Sequence, residues 1–380
     1  MSAEHPILIA TRGSALALAQ ANLIAGQCRE AFPRLRFELK IIKTTGDKLQ
    51  KASLAKVEGG LPKGLFTKEL EVALVRGKAD LAVHSLKDLP TDLPAGLVLA
   101  ATPKRADVRD VLIYRSAAYL TQHALSRRSG AETETRKTPE WTPGQSELRG
   151  YGPHLTLKAL PPRATIATSS TRRKAQLLAA RPDLNVVEIR GNITTRMQKI
   201  AERGELDATV LALAGLTRLN FEIQSERGLS TGESVGVQAL ACPSANTLKR
   251  ELQPPRSGKL VGDAVPDGLL ATVLDADVML PCVGQGAIGI EIRADDERIA
   301  KICERLNHFN TFQCVTAERA FLHAMGGGCQ SPVAACAEIV GDKILMRGVS
   351  FRAGPAKRAE GMRLIAEAVA LGEELAVRLR

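Results

Sequence analysis

The sequence predicts an α/β protein with two units of related design and a smaller C-terminal part, for three reasons. Apolar strand patterns alternate with helical patterns along much of the chain, an order typical of sheets covered by helices on both faces. The segments IATRGSALALAQ and IATSSTRRKAQL repeat one order of strand, polar turn and helix in the two halves. The tail after Cys314 carries a separate pattern of helix, two strands and helix. We therefore expect mostly parallel sheets.

The first half contains three predicted strands and two predicted helices. Residues 6–11 (PILIAT) are apolar, RFELKIIKTTG alternates, and residues 79–85 (ADLAVHS) lead into the polar turn LKDLPTDLP. ALALAQANLIAGQCREAF is an apolar-rich helical stretch, and GLFTKELEVALVRGKA has helical spacing that places Leu70 and Leu74 on one face. The order in the first half is therefore a buried strand, a polar turn and a helix.

The second half follows the same order. ATIAT, NVVEIRG and the start of DATVLALAGLTRL are predicted strands, while SSTRRKAQLLAARP and NITTRMQKIAERGEL are predicted helices, the latter capped by Asn192. Ligands of such sheets bind beyond the carboxyl ends of the strands. Here those ends read TRGS, HSLKD, TSSTRR, IRGN and AGLTR, and a cleft between the two units would gather their hydroxyls and arginines.

Two long stretches interrupt this pattern. Residues 116–154 are polar with little periodicity, and residues 221–277 mix glycine, serine, proline and apolar pieces. Both exceed the roughly 12–15 residues of structureless loops, so they are partly disordered or hold small elements of their own. We predict that both lie on the surface. The tail is predicted to hold the helix VTAERAFLHAM, the strands VAACAEIV and KILMRGVSF, and a last helix that begins at EGMRL.

Composition limits the classes of function. The 380 residues carry a net charge of +11, which favours an anionic partner, either nucleic acid or a polyanionic small molecule. Aromatic residues are only 3% of the chain, so base-stacking platforms are poorly supplied. No apolar run reaches the roughly 18 residues of a membrane span, and the N-terminus lacks a secretory pattern. Seven cysteines without a CxxC pair argue against a disulfide scaffold or a metal site, which indicates a reduced, cytoplasmic protein.

Arginines cluster at the predicted strand ends. A guanidinium binds a carboxylate or phosphate through two parallel hydrogen bonds. Each arginine alone can be interpreted as a solvated surface charge, but several arginines at one rim of the sheet indicate an anion-binding site. The SSTRR helix start adds hydroxyls and backbone amides. No phosphate loop of the GxxxxGK[ST] type is present. The arginines in question are Arg12, Arg172, Arg173, Arg190, Arg196 and Arg218.

Three further residues have two interpretations each. Asp88 is either a turn former before LPTDLP or a fixed anion that stabilises a cation formed during a reaction. His84 is favoured as a core or supporting histidine, since it and Ser85 face opposite sides of an alternating strand. Cys329, in GGGCQSPVA, is either a small residue in a glycine-rich turn or a reactive thiol approached closely by a ligand.

A series of motifs resembles one family, that of porphobilinogen deaminase or hydroxymethylbilane synthase. The resemblance runs from Ile7 to the last helix apart from the two long stretches. The motifs are, in order, IATRGSALALAQ, KGLFTKELE, DLAVHSLKDLP, ATSSTRRKAQL, IRGNITTRM, LALAGLTRL, PCVGQGAIGIE, LNHFNT, VTAERAFL and GGCQSPVA.

The resemblance implies a fold of two lobes like type II periplasmic binding proteins plus a small C-terminal α+β domain. The implied first domain comprises residues 1–103 and 287–304, and contains the catalytic aspartate. The second comprises residues 108–280, with insertions at about 116–154 and 222–276. The third comprises residues 309–380 and carries the cofactor-attachment cysteine loop.

The resemblance also implies the chemistry. The family joins four porphobilinogen molecules head to tail with loss of ammonia and releases the linear tetrapyrrole hydroxymethylbilane. It uses a dipyrromethane cofactor held by a thioether, here on Cys329, with Asp88 as the catalytic carboxylate. The implied partners are porphobilinogen and the growing polypyrrole, without nucleic acid, membrane or metal, in a monomer.

Other site residues follow from matched positions. The substrate-binding positions are Arg12, Arg196 and Arg218. The cofactor-binding positions, besides the cysteine, are Ser14, Lys63, Ser85, Lys87, Thr168, Ser170, Arg172, Arg173 and Arg190. KVEGGLPKGLF has two more residues than the family commonly has, which affects the placement of Lys63, and Thr171 stands where the family commonly has leucine. Arg218 stands close to the second insertion.

Two other functions fit parts of the sequence. Two α/β lobes with an arginine rim also suit a noncatalytic binding protein for an anionic solute, which would carry no covalent pyrrole adduct. A nucleic-acid binder would accommodate the positive charge, and its affinity would fall steeply with salt. Composition and periodicity alone indicate no more than a cytoplasmic α/β protein with an anion-binding cleft.

Overall fold

The computed structural model of the protein describes residues 5–45, 66–128, 148–225, 257–328 and 331–380. They form two compact units, the first from residues 5–108 and 280–380 and the second from residues 109–225 and 257–279. The chain thus leaves the first unit and later returns to it. Within these ranges no helix combines the length and the hydropathy that crossing a membrane requires.

The first unit contains a mixed five-stranded sheet flanked by helices. Its strands are β1 (Ile7–Arg12), β2 (Phe37–Ile42), β3 (Leu81–Ser85), β4 (Leu97–Ala101) and β12 (Ile288–Arg293). They lie in the order β2-β1-β3-β12-β4. The helices are α1 (Ala15–Ala31), α2 (Lys68–Val75) and α7 (Glu297–Leu306).

Apolar side chains from the sheet and from α1 make the main core of this unit. Ile9, Ile24, Leu81 and Ile290 are all fully buried there. Burying one such side chain stabilises the fold by roughly 1.5–3 kcal/mol. Helix α1 begins directly after the turn that follows β1, because the Ser14 hydroxyl accepts a hydrogen bond from the Ala17 N–H at the helix N-terminus.

The second unit contains a seven-stranded sheet. Its strands are β5 (Asp110–Arg115), β6 (Thr165–Ala167), β7 (Asn185–Val187), β8 (Ala208–Ala212), β9 (Glu222–Gln224), β10 (Ser257–Val261) and β11 (Leu269–Leu274). They lie in the order β7-β6-β8-β5-β11-β10-β9. The helices are α3 (Ala117–Arg128), α4 (Thr171–Ala180), α5 (Ile193–Glu202) and α6 (Leu213–Arg218). The predicted Asn192 cap of α5 is confirmed, since its side chain accepts from the Thr195 N–H.

The α/β class is confirmed, but the expectation of mostly parallel sheets is wrong. Strand β1 runs parallel to β2 and β3, and β6 runs parallel to β7 and β8. The other pairings among the described strands of these two sheets are antiparallel. Periodicity locates a strand without giving its direction, and strands such as β12 return from the other unit in the opposite sense.

The prediction that residues 221–277 lie on the surface is also wrong in part. Every residue of β11 is buried, and this strand pairs with β5 over six residues from Leu269 to Leu274. The apolar run LLATVL is therefore a central strand rather than part of a surface insertion. The other stretch, 116–154, contributes α3 and a bridge between Ser116 and Tyr151, and residues 129–147 lie outside the described ranges.

The C-terminal part belongs to the first unit and packs two helices on a three-stranded antiparallel sheet. The elements are α8 (Phe309–Ala324), β13 (Val333–Val340), β14 (Lys343–Ser350), β15 (Lys357–Leu364) and α9 (Ala368–Leu379). The prediction that EGMRL begins the last helix is wrong, because β15 pairs with β14 over eight residues. The charged and apolar residues of this segment suit both the helical period and the strand period. The pairing of β15 with β14 therefore decides between the two structures.

Helices α8 and α9 approach closely at Gly372. A Cβ atom at this position would lie 2.2 Å from the Ala317 carbonyl oxygen and 2.7 Å from the Phe321 nitrogen. We expect Gly372→Ala to lower the free energy of unfolding by about 1–3 kcal/mol, because backbone atoms cannot move aside as a side chain can. Thermal unfolding of the variant measures this.

Gly26→Ala is the matched control. Gly26 is also inside a helix, α1, but nothing lies within 4 Å of the added Cβ. Alanine favours the helix over glycine by about 1 kcal/mol, so this variant should be at least as stable as the parent. Equal effects of the two substitutions would show that helix contact does not govern the Gly372 position.

Candidate active site

A polar pocket in the first unit lies where β1 and β3 end. These strands are parallel neighbours, so their carboxyl ends meet at one edge of the sheet. Strand β3 ends at Ser85 and passes directly into a short 3₁₀ helix, Leu86–Asp88. The polar residues that line the pocket are Arg12, Ser14, Gln20, Thr67, His84, Ser85 and Asp88. The prediction that strand ends gather polar residues holds for this sheet.

One wall of the pocket presents hydrogen-bond donors and a cation. The Arg12 guanidinium lies 4.3 Å from the centre of the Phe66 ring, a cation–π contact that orients it. The Ser85 hydroxyl donates to the Gln20 side-chain oxygen at 3.0 Å, which directs the other end of the amide away from Ser85. The Gln20 nitrogen is buried and makes no hydrogen bond among the described residues. A buried donor of this kind favours an acceptor supplied by a ligand.

Asp88 lines the pocket, and its carboxylate binds no other described residue. It closes the 3₁₀ helix and its side chain is partly exposed. Within the described ranges its carboxylate makes no hydrogen bond or ion pair, although Arg12 lines the same pocket. The carboxylate is therefore accessible to a ligand. Lys87, beside it in the same turn, is partly buried.

One of the residues that line the pocket, a buried histidine, contacts a buried carboxyl group of the adjacent strand. His84 is buried, as predicted, and its Nε2 atom lies 3.0 Å from Oε2 of Glu291 on the adjacent strand β12. A second buried carboxyl, Glu71 on α2, has its pKa raised, chiefly by burial and also by the charge of Glu291. This cluster supports the strand from which Ser85 projects.

In the second unit, two of the predicted arginines share one buried carboxylate. Arg172 and Arg173 lie at the start of α4, which Ser170 caps, and both are buried. Arg172 Nη2 lies 2.9 Å from Asp110 Oδ2, and Arg173 Nη2 lies 2.7 Å from Asp110 Oδ1. Thr168, shortly before them in the sequence, is also buried, and its hydroxyl accepts a hydrogen bond from the Ser170 N–H. The pair of arginines is therefore rigidly oriented.

Asp110 stabilises the unit through this double ion pair. Burial alone would raise the pKa of its carboxyl, but the two guanidinium charges and their hydrogen bonds lower it to about 2. An unfolded aspartate has a pKa of about 3.9, so the charged form contributes stability above that pH and loses it as the pH falls towards 2.

We expect Asp110→Asn to lower the free energy of unfolding by about 3–5 kcal/mol at neutral pH, because it leaves two buried cations without their anion. The stability of the variant should also depend less on pH between 4 and 2. Denaturant unfolding at several pH values measures both effects. Asp183→Asn, which removes an exposed ion pair with Arg181, is the control and should change little. Similar losses in both variants would contradict the role of Asp110.

Two other arginines of the second unit are partly buried cations. Burial lowers the pKa of Arg196 to about 10, and the charge of Arg173 adds to the effect. Burial also lowers the pKa of Arg218 to about 10. Arg196 donates from Nε to the Gly191 carbonyl at 2.8 Å, which orients its guanidinium. Arg190 differs, because it is exposed and lies 3.6 Å from Glu188.

Comparison with known proteins agrees with these features. The family model described as "Porphobilinogen deaminase, dipyromethane cofactor binding domain" matches residues 7–138, 150–242 and 265–301, and the model of the porphobilinogen deaminase C-terminal domain matches residues 312–380. A porphobilinogen deaminase from Syntrophomonas wolfei is 38% identical over 90% of this chain and 83% of that protein. One from Trichlorobacter lovleyi is 38% identical over 99% of this chain and 94% of that protein.

The chain belongs to the porphobilinogen deaminase family. Among solved structures, it is also similar to a periplasmic sulfonate-binding protein from Methylobacillus flagellatus, with 11% identity over 83% of this chain and 67% of that chain and a TM-score of 0.31. The unmatched segments 139–149 and 243–264 are shorter than the two predicted insertions, and the third matched segment, residues 265–301, contains the buried strand β11.

Two predicted residues of the porphobilinogen deaminase site, Cys329 and Lys63, lie outside the described residues. The neighbours of the cysteine are described: the Ser331 N–H donates to the Gly328 carbonyl at 2.9 Å, and the Gly328 N–H donates to the Ser331 hydroxyl at 3.2 Å. Helix α8 ends five residues before the cysteine. The roles assigned to these residues stay predictions.

Gln20 and Phe66 are among the pocket residues that were not predicted from the sequence. Gln20 occupies the inner side of α1, and Phe66 precedes α2. The available signal for Gln20 was its place on the apolar face of α1, one turn after the start of the helix, where a polar residue needs a partner. Phe66 gave no signal that distinguishes it from a core aromatic residue.

Proposed function

We propose that this chain is a hydroxymethylbilane synthase, which joins four porphobilinogen molecules with loss of ammonia and releases the linear tetrapyrrole. The observation that supports this best is the pocket at the ends of β1 and β3. There an accessible carboxylate, Asp88, and an oriented cation, Arg12, line one pocket in a chain of the porphobilinogen deaminase family.

The residues of the pocket fit the dipyrromethane cofactor of the family. The buried Gln20 nitrogen needs an acceptor, and the Ser14, Ser85 and Arg12 side chains line the same pocket. Acetate and propionate groups are acceptors of this kind. When bound through Cys329, the cofactor supplies the pyrrole on which the chain is built. Of the described residues, Arg12, Ser14, Gln20 and Ser85 would hold it in this unit, with Lys87 close to Asp88.

Asp88 is proposed to act on the substrate as a fixed anion. Loss of ammonia from porphobilinogen places positive charge on the pyrrole nitrogen, and a nearby carboxylate stabilises that charge more than it stabilises the neutral ring. The carboxylate is available for this role because no described residue neutralises it directly.

Arginines of the second unit are proposed to bind the substrate carboxylates. Arg196 and Arg218 are cations that burial has partly desolvated, and a guanidinium of this kind forms strong charge-assisted hydrogen bonds with an incoming carboxylate. Arg172 and Arg173 are proposed to bind the cofactor, with Asp110 holding both in a fixed orientation and Thr168 and Ser170 adding polar groups. The exposed Arg190 is proposed to join them.

We also propose that the protein acts as a monomer in the cytoplasm, with small anionic pyrroles rather than nucleic acid or membranes as partners. The charge of +11 suits polycarboxylates, and the 3% of aromatic residues provides little surface for base stacking.

The first experiment is the intact mass of the denatured, purified protein, followed by peptide mapping. We expect the mass of a dipyrromethane on the peptide that contains Cys329. An unmodified protein that acquires this mass on addition of porphobilinogen is the apoenzyme and supports the proposal. A protein that stays unmodified and forms no tetrapyrrole contradicts it and favours an anion-binding protein.

A further inference from the structure

A single arginine holds the backbone directly after Asp88. Arg319, on α8, donates from Nη1 to the Leu89 carbonyl at 3.2 Å, and from Nη2 to the carbonyls of Pro90 at 2.7 Å and Thr91 at 3.2 Å. Three consecutive carbonyls thus converge on one planar guanidinium. The rigid fork of arginine suits such an arrangement, and a lysine ammonium does not reproduce it.

The turn needs this support because of its sequence. LPTDLP contains two prolines, Pro90 and Pro94, which have no N–H to donate to a neighbouring carbonyl. Beyond the 3₁₀ bond from the Leu89 N–H to the Leu86 carbonyl, regular secondary structure resumes only at β4. The arginine side chain therefore supplies donors to three carbonyls that accept no hydrogen bond from a backbone N–H of the described residues.

The part of helix α8 that carries Arg319 is itself held in place by hydrogen bonds. The neighbouring residue, Glu318, is fully buried and accepts two hydrogen bonds from Arg105, at 2.7 and 3.0 Å. It also accepts from the backbone N–H groups of Gly284 at 2.8 Å and Ala337 at 2.9 Å. Helix α8 is thereby joined to three other segments of the first unit. Its position does not depend on the turn that Arg319 holds.

We propose that Arg319 is a positioning residue that sets the place of the Asp88 carboxylate in the pocket. This inference rests on the proposed catalytic role of Asp88. Since no described residue binds the carboxylate itself, the backbone that carries it determines where the negative charge lies. Helix α8 also leads in sequence towards Cys329, so one element fixes the turn of the catalytic acid and precedes the proposed anchor of the growing chain.

The test compares Arg319→Lys with His323→Ala. His323 lies one turn further along α8 and contacts the same segment through Asp92 at 2.9 Å, but both side chains are mostly exposed. We expect Arg319→Lys to lower kcat, counted per molecule that carries the covalent cofactor, by roughly 10–100-fold, because small displacements of a reacting group have effects of this size. KM should change less than about threefold, and His323→Ala should keep the parental kcat.

Two further measurements separate positioning from general stability. Hydrogen exchange of the peptide spanning residues 86–95 should be faster in Arg319→Lys, while the exchange of β13 and the Tm stay close to those of the parent. The double variant with Asp88→Asn should lose no more kcat than Asp88→Asn alone, because both changes act on one carboxylate. Additive losses, an unchanged kcat, or a loss of kcat only in step with Tm and cofactor content would each overturn the proposal.

The exchange measurement does not require turnover. A parent protein without tetrapyrrole synthesis would contradict the proposed function, whereas unchanged exchange of the turn in Arg319→Lys would contradict the positioning role in an active enzyme. The two failures are thus distinguishable.

Discussion

Asp88→Asn should lower kcat by roughly 100–1,000-fold while the fold and the cofactor content stay unchanged. Asparagine keeps the shape of the side chain but removes its charge, and one preorganised electrostatic contact to a transition state has an effect of this size. The carboxylate has no ion pair among the described residues, so its removal leaves no buried cation behind and the Tm should be retained. Steady-state turnover of porphobilinogen per cofactor-loaded molecule is the measurement.

The matched control for this variant is Asp92→Asn. Asp92 lies four residues further along the same segment, and its side chain is 70% exposed and paired with His323. Its substitution changes the net charge equally but should leave kcat within about twofold, because exposed pairs contribute little. A parental kcat in Asp88→Asn, or equal losses in both variants, would remove the specific role of Asp88.

Cys329→Ser should yield a protein without the covalent adduct and without measurable tetrapyrrole synthesis. A hydroxyl is a far weaker nucleophile than a thiolate at neutral pH, so the bond to the pyrrole should not form. The intact mass of the denatured variant, before and after addition of porphobilinogen, tests this directly.

Cys282→Ser serves as the control for thiol loss in general. Cys282 is a partly buried cysteine of the first unit that forms no disulfide with another described residue, and its substitution should leave both adduct and turnover in place. An adduct of normal mass on the Cys329→Ser protein, or its loss in Cys282→Ser alone, would place the anchor elsewhere.

Three residues at strand ends predicted from the sequence line the pocket of the first unit. Arg12, Ser85 and Asp88 follow apolar runs, and the parallel pairing of β1 with β3 brings those ends together. The direction of β12 could not be predicted, because a period of two residues is the same in both directions. The prediction that EGMRL begins a helix was wrong for a different reason, because its residues suit both the helical and the strand period and only the pairing of β15 with β14 decides between them.

Long-range partners were the other features that the sequence did not indicate. Asp110 begins β5 about 60 residues before the two arginines that it binds, and nothing local marks it as their partner. Arg319 likewise lies in a helical pattern, and a charged residue in such a pattern does not indicate which groups it binds. Such pairings arise from the tertiary fold, so periodicity and propensity do not contain them.

The place of β12 between β3 and β4 affects how the chain folds during synthesis. Strand β4 leaves the ribosome about 190 residues before β12 does. At about 5–20 residues per second, the nascent chain waits roughly 10–40 s with the facing edges of β3 and β4 unpaired. Open edges of this kind can pair with other chains, so the first unit should be most susceptible to aggregation before translation ends and should depend then on chaperones that cover nascent strands.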